Sequence, residues 1–129
     1  MRNSIIIATL ALCCIICTIP ACSQIKYTNM EKGEFCTYIK DSSVVLIDVR
    51  TPEEYNNGHI ENAINIDFYS NTFTDEIQAA VPKDKKIALY CRSGKRSASA
   101  AEKLSPLGYN VVNLTGGYKS WSSPEEENK

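Results

Sequence analysis

Apolar residues fall in short runs along the chain, separated by segments with helical spacing. Val44-Val45-Leu46-Ile47 is a continuous apolar run closed by Asp48, the pattern of a strand buried on both faces. Lys86-Ile87-Ala88-Leu89-Tyr90 is the clearest strand, introduced by a solvated Lys/Asp turn at 83–86. Asn110–Leu114 is another, and Ala63-Ile64-Asn65-Ile66 a shorter candidate. Met30–Ile39 reads as a short helix with Phe35, Cys36 and Ile39 facing inward. In Thr51-Pro52-Glu53-Glu54 a Thr cap, Pro at the first helical position and Glu at the third form a capping box. The pattern predicts a helix that starts there and stops near Gly58. Asp67–Val81 is expected to be helical up to Pro82. Lys95–Leu104 places Ser97, Ala100, Ala101 and Leu104 on one face, small enough to pack close to a sheet. Ser105-Pro106 ends that helix, Gly108 supplies a turn, Gly116-Gly117 another, and Tyr118–Trp121 a last helical turn.

Strands alternating with helices predict a single α/β domain, with a mainly parallel central sheet and helices on both faces. Ligands of such sheets bind beyond the carboxyl ends of the strands. That rule directs attention to the residues after Tyr90.

The N-terminal stretch has a different pattern. Arg2 is the only charge before Lys26, and Ile5–Ile19 is a fifteen-residue apolar stretch followed by Pro20-Ala21-Cys22. A positive start, a short apolar core and a small residue before a cleavage point mark a secretory leader over residues 1–21. The stretch is short of the ~20 apolar residues a spanning helix needs. Ile19-Pro20-Ala21-Cys22 resembles the bacterial lipobox, which implies lipidation at Cys22 and a membrane-anchored lipoprotein facing the periplasm. Ordinary cleavage nearby, releasing a soluble exported protein, is the alternative. Residues 22–29 then form a polar tether, 30–121 the folded domain, and 122–129, with Glu125-Glu126-Glu127, an acidic disordered tail.

Composition narrows the partners. The 129 residues are 43% hydrophobic and 22% charged, as in ordinary globular proteins, and suffice for one domain. Fourteen Lys+Arg against fifteen Asp+Glu leave a net charge of −1, which argues against nucleic acid as a partner. Of six cysteines, Cys13, Cys14 and Cys17 lie in the leader and Cys22 at its end, so only Cys36 and Cys91 remain as thiols of the domain. Two thiols make no disulfide framework, and one His with two distant Cys makes no metal site.

Cys91-Arg92-Ser93-Gly94-Lys95-Arg96 stands between a buried strand and a helix. Gly at the centre lets successive N–H groups curl inward as an anion nest, and the helix N-terminus adds its positive end. A Cys at the rim of such a nest has a depressed pKa, and Arg92, Lys95 and Arg96 concentrate positive charge around it. The pattern suits a nucleophile acting on a small anion. A buried structural Cys beside a solvated basic turn is the plainer alternative.

Three segments now carry a family resemblance. Leu46-Ile47-Asp48-Val49-Arg50-Thr51-Pro52-Glu53-Glu54-Tyr55, with Gly58-His59-Ile60 and Ala63-Ile64-Asn65-Ile66, resembles the first half of a rhodanese domain. Tyr90–Ser97 is similar to that family's active-site loop, and Leu114-Thr115-Gly116-Gly117-Tyr118 with Trp121 to its C-terminal signature. The resemblance implies a cofactor-free sulfurtransferase in which Cys91 takes sulfur from a small anionic donor such as thiosulfate, holds it as a persulfide, and passes it to a thiol, cyanide or protein acceptor. It implies that Arg92, Ser93, Gly94, Lys95 and Arg96 bind the donor. Phosphatases on a related scaffold use C-x5-R; here Ser97 stands where that Arg would be, and Arg96 one residue too early. Asp48 and Arg50 are expected to fix neighbouring loops, His59 to stabilise a turn, Gly116-Gly117 to serve backbone conformation, and Cys36 to be a small core residue. The protein is expected to be a monomer. Two rivals remain open: a binding or sensing module with little turnover, and thiol redox work with Cys36 as resolving partner.

Overall fold

The computed structural model describes residues 27–124. The leader, Cys22, most of the tether and residues 125–129 of the expected tail lie outside the described residues. Among the described residues no helix is long and apolar enough to cross a membrane.

The elements follow in the order β1 (Thr28–Met30), α1 (Lys32–Tyr38), β2 (Val44–Asp48), α2 (Pro52–Asn56), β3 (Ile64–Asn65), α3 (Phe73–Ala80), β4 (Lys86–Tyr90), α4 (Lys95–Leu104), β5 (Asn110–Leu114) and α5 (Gly117–Ser122). Among the described residues the five strands form one sheet in the order β1-β5-β4-β2-β3, and every pairing is parallel. This is the α/β architecture expected. β4 lies at the centre between β2 and β5, so its C-terminal end opens into the middle of the sheet's functional edge.

Alternation along β4 divides the core into two layers. Ile87, Leu89 and Cys91 join one cluster with Phe73 and Ile77 of α3 and Ala100, Ala101 and Leu104 of α4. Ala88 and Tyr90 join the other, with Phe35 of α1 and, packed against them, Tyr118 and Trp121 of α5. Ser97, Ala100, Ala101 and Leu104 are the buried residues of α4, the face the spacing predicted. Burying Ala where Leu could stand brings α4 close to the sheet and draws its N-terminus against the end of β4.

Four expectations need correction. The tether does not extend to Asn29: Thr28–Met30 form β1, which pairs with Val112–Leu114 of β5. This strand has no apolar alternation, because it is a mostly exposed edge held by backbone bonds to β5. The first helix accordingly starts at Lys32 rather than Met30. The helix expected from Asp67 begins only at Phe73. Asp67 Oδ1 accepts from the Tyr69 amide at 2.9 Å, and Ser70 Oγ and Thr72 Oγ1 both reach Glu76 Oε2. These local side-chain bonds hold 67–72 as turns in competition with a helix. At the other end α5 runs to Ser122, one residue into the expected tail.

Candidate active site

The loop after β4 is built by its two flanks. The strand ends at Tyr90, Gly94 adopts φ +97° as the cap of α4, and α4 starts at Lys95. Cys91 lies in this bend, 1% exposed, with its Sγ turned inward. The Gly94 amide donates to Sγ at 3.0 Å and the Ser97 hydroxyl at 3.4 Å. Burial works against the thiolate. The Ser97 hydroxyl and the amides of Ser97, Ser93 and Gly94 together outweigh it and hold the thiol below its ordinary pKa.

The outer side of the loop is held by α5. The Tyr118 amide donates to the Cys91 carbonyl at 2.7 Å and the Lys119 amide to the Arg92 carbonyl at 3.0 Å. A planar trans peptide has its N–H opposite its C=O. Drawing these two carbonyls toward α5 therefore turns the amides of Arg92 and Ser93 toward the loop interior. Such close contact needs Gly117: a Cβ there would lie 2.5 Å from the Cys91 carbonyl oxygen and 2.6 Å from the Arg92 carbonyl carbon and oxygen. The two-glycine turn thus serves the backbone, as its composition implied, and the backbone it serves is the loop itself.

The three basic residues of the loop are not equivalent. Arg92 and Lys95 are exposed, and neither enters an ion pair among the described residues. Arg96 is engaged: Nη1 donates to Glu54 Oε1 at 2.8 Å and Nη2 to Oε2 at 2.9 Å. This fork holds the Glu54 carboxyl down at about 2, against some cost of burial. Ser93 is exposed at the tip.

Asp48, Arg50 and His59 lie outside the cradle. Arg50 Nε and Nη2 donate to the buried Asp48 carboxylate at 3.0 and 2.7 Å, and Nη2 also to the Gly58 carbonyl at 2.7 Å. The guanidinium lies 4.3 Å from the centre of the Tyr118 ring. One buried cation therefore ties β2, the end of α2 and α5 together behind the loop. The Tyr55 carbonyl accepts from His59 Nδ1 at 2.9 Å, and the two rings stack at 3.7 Å, so His59 braces the turn after α2. Cys36 is half-buried rather than a full core residue. It lines a groove of about 720 Å³ between α1 and the 59–62 turn, and that groove includes no residue of the Cys91 loop.

Two residues at the cradle were not singled out for it by their sequence. Ser97 reads from sequence as part of the inward face of α4 and as the last residue of the loop resemblance, with no contact to the thiol assigned to it; its place in the helix's first turn, three residues after Gly94, is the usable signal. Glu54 was legible only as a cap. Its partner Arg96 is 42 residues away, a separation no local pattern spans.

The chain is similar to several known proteins. The rhodanese-like domain family matches residues 32–124. The thiosulfate sulfurtransferase PspE of Escherichia coli (strain K12) is 40% identical over 80 residues, spanning 61% of this chain and 75% of that protein. A sulfurtransferase of Allochromatium vinosum is 38% identical over 80 residues, 61% of this chain and 72% of its own. The crystal structure of a rhodanese-related protein from Thermoplasma volcanium superposes with a TM-score of 0.65 at 37% identity, over 76% of this chain and 96% of that one.

Proposed function

The chain belongs to the rhodanese-like domain family, and from that premise we propose that it is a sulfurtransferase working through a persulfide on Cys91. Sulfur transfer in general is supported by the relatives named for it. The observation that carries the finer reading is the geometry at Sγ, where inward-turned hydrogen-bond donors favour a thiolate at the end of a central strand.

The thiolate attacks the outer sulfur of thiosulfate, the S–S bond breaks, and sulfite leaves with the bonding electron pair. Cys91 is left as a persulfide anion within the cradle. A second thiophile (cyanide, a small thiol or a protein thiol) attacks the terminal sulfur and returns the Cys91 thiolate. Two half-reactions sharing one enzyme group give ping-pong kinetics. Inward amides act as fixed donors for the charge on the persulfide, and the exposed Arg92 and Lys95 draw the anionic donor to the loop.

The test is intact-mass spectrometry after incubation with thiosulfate. The wild type gains one sulfur atom and loses it to cyanide with release of thiocyanate, whereas Cys91→Ser gains none. A folded wild-type protein that takes sulfur from neither thiosulfate nor polysulfide would leave the docking-module reading in its place.

Export with lipidation at Cys22 is proposed alongside, supported by the leader pattern of residues 1–22. Its test is incorporation of labelled palmitate in a bacterial host. The label is expected in the wild type and should be lost in Cys22→Ser; an unlabelled wild type recovered in the soluble exported fraction refutes lipidation.

A further inference from the structure

Glu54 holds two structures at once. As the third residue of the α2 capping box, its Oε1 accepts from the Thr51 amide at 3.4 Å and from the Thr51 hydroxyl at 3.2 Å. The same carboxylate takes both terminal nitrogens of Arg96 at 2.8 and 2.9 Å. The helix cap on one side and the guanidinium fork on the other fix it in place. Arg96 belongs to the first turn of α4, beside the nucleophile, and its other flank meets the exposed Tyr69 ring at 5.6 Å. A guanidinium engaged face-on with a carboxylate has spent both its geometry and its net charge. Arg92 and Lys95 are then the loop cations with full charge to offer, and both are exposed, where water and salt screen them.

We infer that Glu54 is a specificity-determining residue: by occupying Arg96 it withholds one positive charge from the donor and biases Cys91 toward singly charged sulfane donors over doubly charged ones. The inference rests on the sulfur-transfer reading above and specifies its donor class. Thiosulfate and methanethiosulfonate form a matched pair of donors. In each, the Cys91 thiolate takes the outer sulfur and the S–S bond breaks. The electron pair leaves on sulfite from the first and on methanesulfinate from the second. The donors differ by one charge.

The variant Glu54→Gln removes the charge and keeps the capping box, since Gln serves at the third helical position as well as Glu. The expected result is a rise of about tenfold in kcat/KM for thiosulfate, the worth of one restored charge contact half shielded from water. For methanethiosulfonate the change should stay below about threefold. The double variant E54Q/R96M should return the donor ratio to the wild-type value. Arg96→Met alone should lower the ratio, because it leaves the Glu54 carboxylate unpaired and repelling the dianion more than the monoanion, and this variant does not depend on how E54Q folds. Equal changes for both donors in E54Q, or an unchanged donor ratio in R96M, overturn the inference.

A readout without turnover separates it from the function it rests on. Sulfate, a dianion with no sulfur to give, should protect Cys91 from alkylation by iodoacetamide more strongly in E54Q than in the wild type. A wild type inert with both donors, in which sulfate protection still sharpens in E54Q, refutes sulfur transfer and keeps the role of Glu54. Equal protection in the two proteins refutes that role whatever the donors do.

Discussion

Replacing Gly117 by Ala tests whether α5 shapes the cradle or merely closes the domain. A Cβ at this position would lie 2.5–2.6 Å from backbone atoms of Cys91 and Arg92, and backbone cannot swing aside as a side-chain tip can. Gly117 also has φ +59°, a left-handed conformation that costs Ala about 1–2 kcal/mol. To relieve the clash α5 must retreat, weakening the two amide bonds it makes to the Cys91 and Arg92 carbonyls, at 2.7 and 3.0 Å. Each is worth about 1 kcal/mol. The total is roughly 3–4 kcal/mol, a large share of the ~5–15 kcal/mol that holds a domain together. For a domain of this size it corresponds to a fall in Tm of roughly 12–25 °C. Gly108→Ala is the control. Its φ of +94° carries comparable backbone strain, but nothing lies within 4 Å of the added carbon. It should cost only ~1–2 kcal/mol and leave the thiol untouched. The assay pairs thermal melting with the pH dependence of Cys91 alkylation. Gly117→Ala should melt well below Gly108→Ala and shift the alkylation midpoint to higher pH, since the Arg92 and Ser93 amides no longer turn inward. Equal melting and an unmoved midpoint in both variants would refute the claim that α5 sets the loop geometry.

Further outcomes follow from the same contacts. Ser97→Ala removes the buried hydroxyl that donates to Sγ at 3.4 Å. It should raise the alkylation midpoint of Cys91 while costing only about 1 kcal/mol in a denaturant melt. Asp48→Asn leaves the buried Arg50 guanidinium without its counter-charge and should destabilise the domain by ~3–5 kcal/mol. The protein that remains folded should show the wild-type alkylation profile. The Glu54 carboxyl titrates at about 2 in the fold against an ordinary 4.5, so the folded state binds its proton less readily than the unfolded chain. Its contribution is therefore complete above pH 4.5 and is lost as the pH falls toward 2. With both partners partly open to water we expect about 1–2 kcal/mol. Denaturant melts from pH 6 to 3 should show the wild type losing more than half of that amount relative to Glu54→Gln; parallel curves would refute the ion pair as a stabilising contact.

Much of this protein is determined by short-range pattern. The limits of β4, α4 and β5 and the buried face of α4 follow from apolar runs and helical spacing, because burial on one or both faces imposes those periods on neighbouring residues. The capping box at Thr51 is likewise a local device completed within a few residues, and so is the turn of the Cys91 loop at Gly94. What the pattern could not reach is pairing across distance. Edge strand β1 is held by backbone bonds to β5, which leave no mark on side-chain alternation. Gly117 reads as a turn residue until α5 is seen against the Cys91 loop. Arg96 reads as one of three equivalent cations until Glu54 is found 42 residues earlier with its carboxylate in the guanidinium fork. Composition and period report what each segment needs to be buried or turned. Which charge meets which, and which backbone lies close enough to orient another, is decided only when the strands take their order in the sheet.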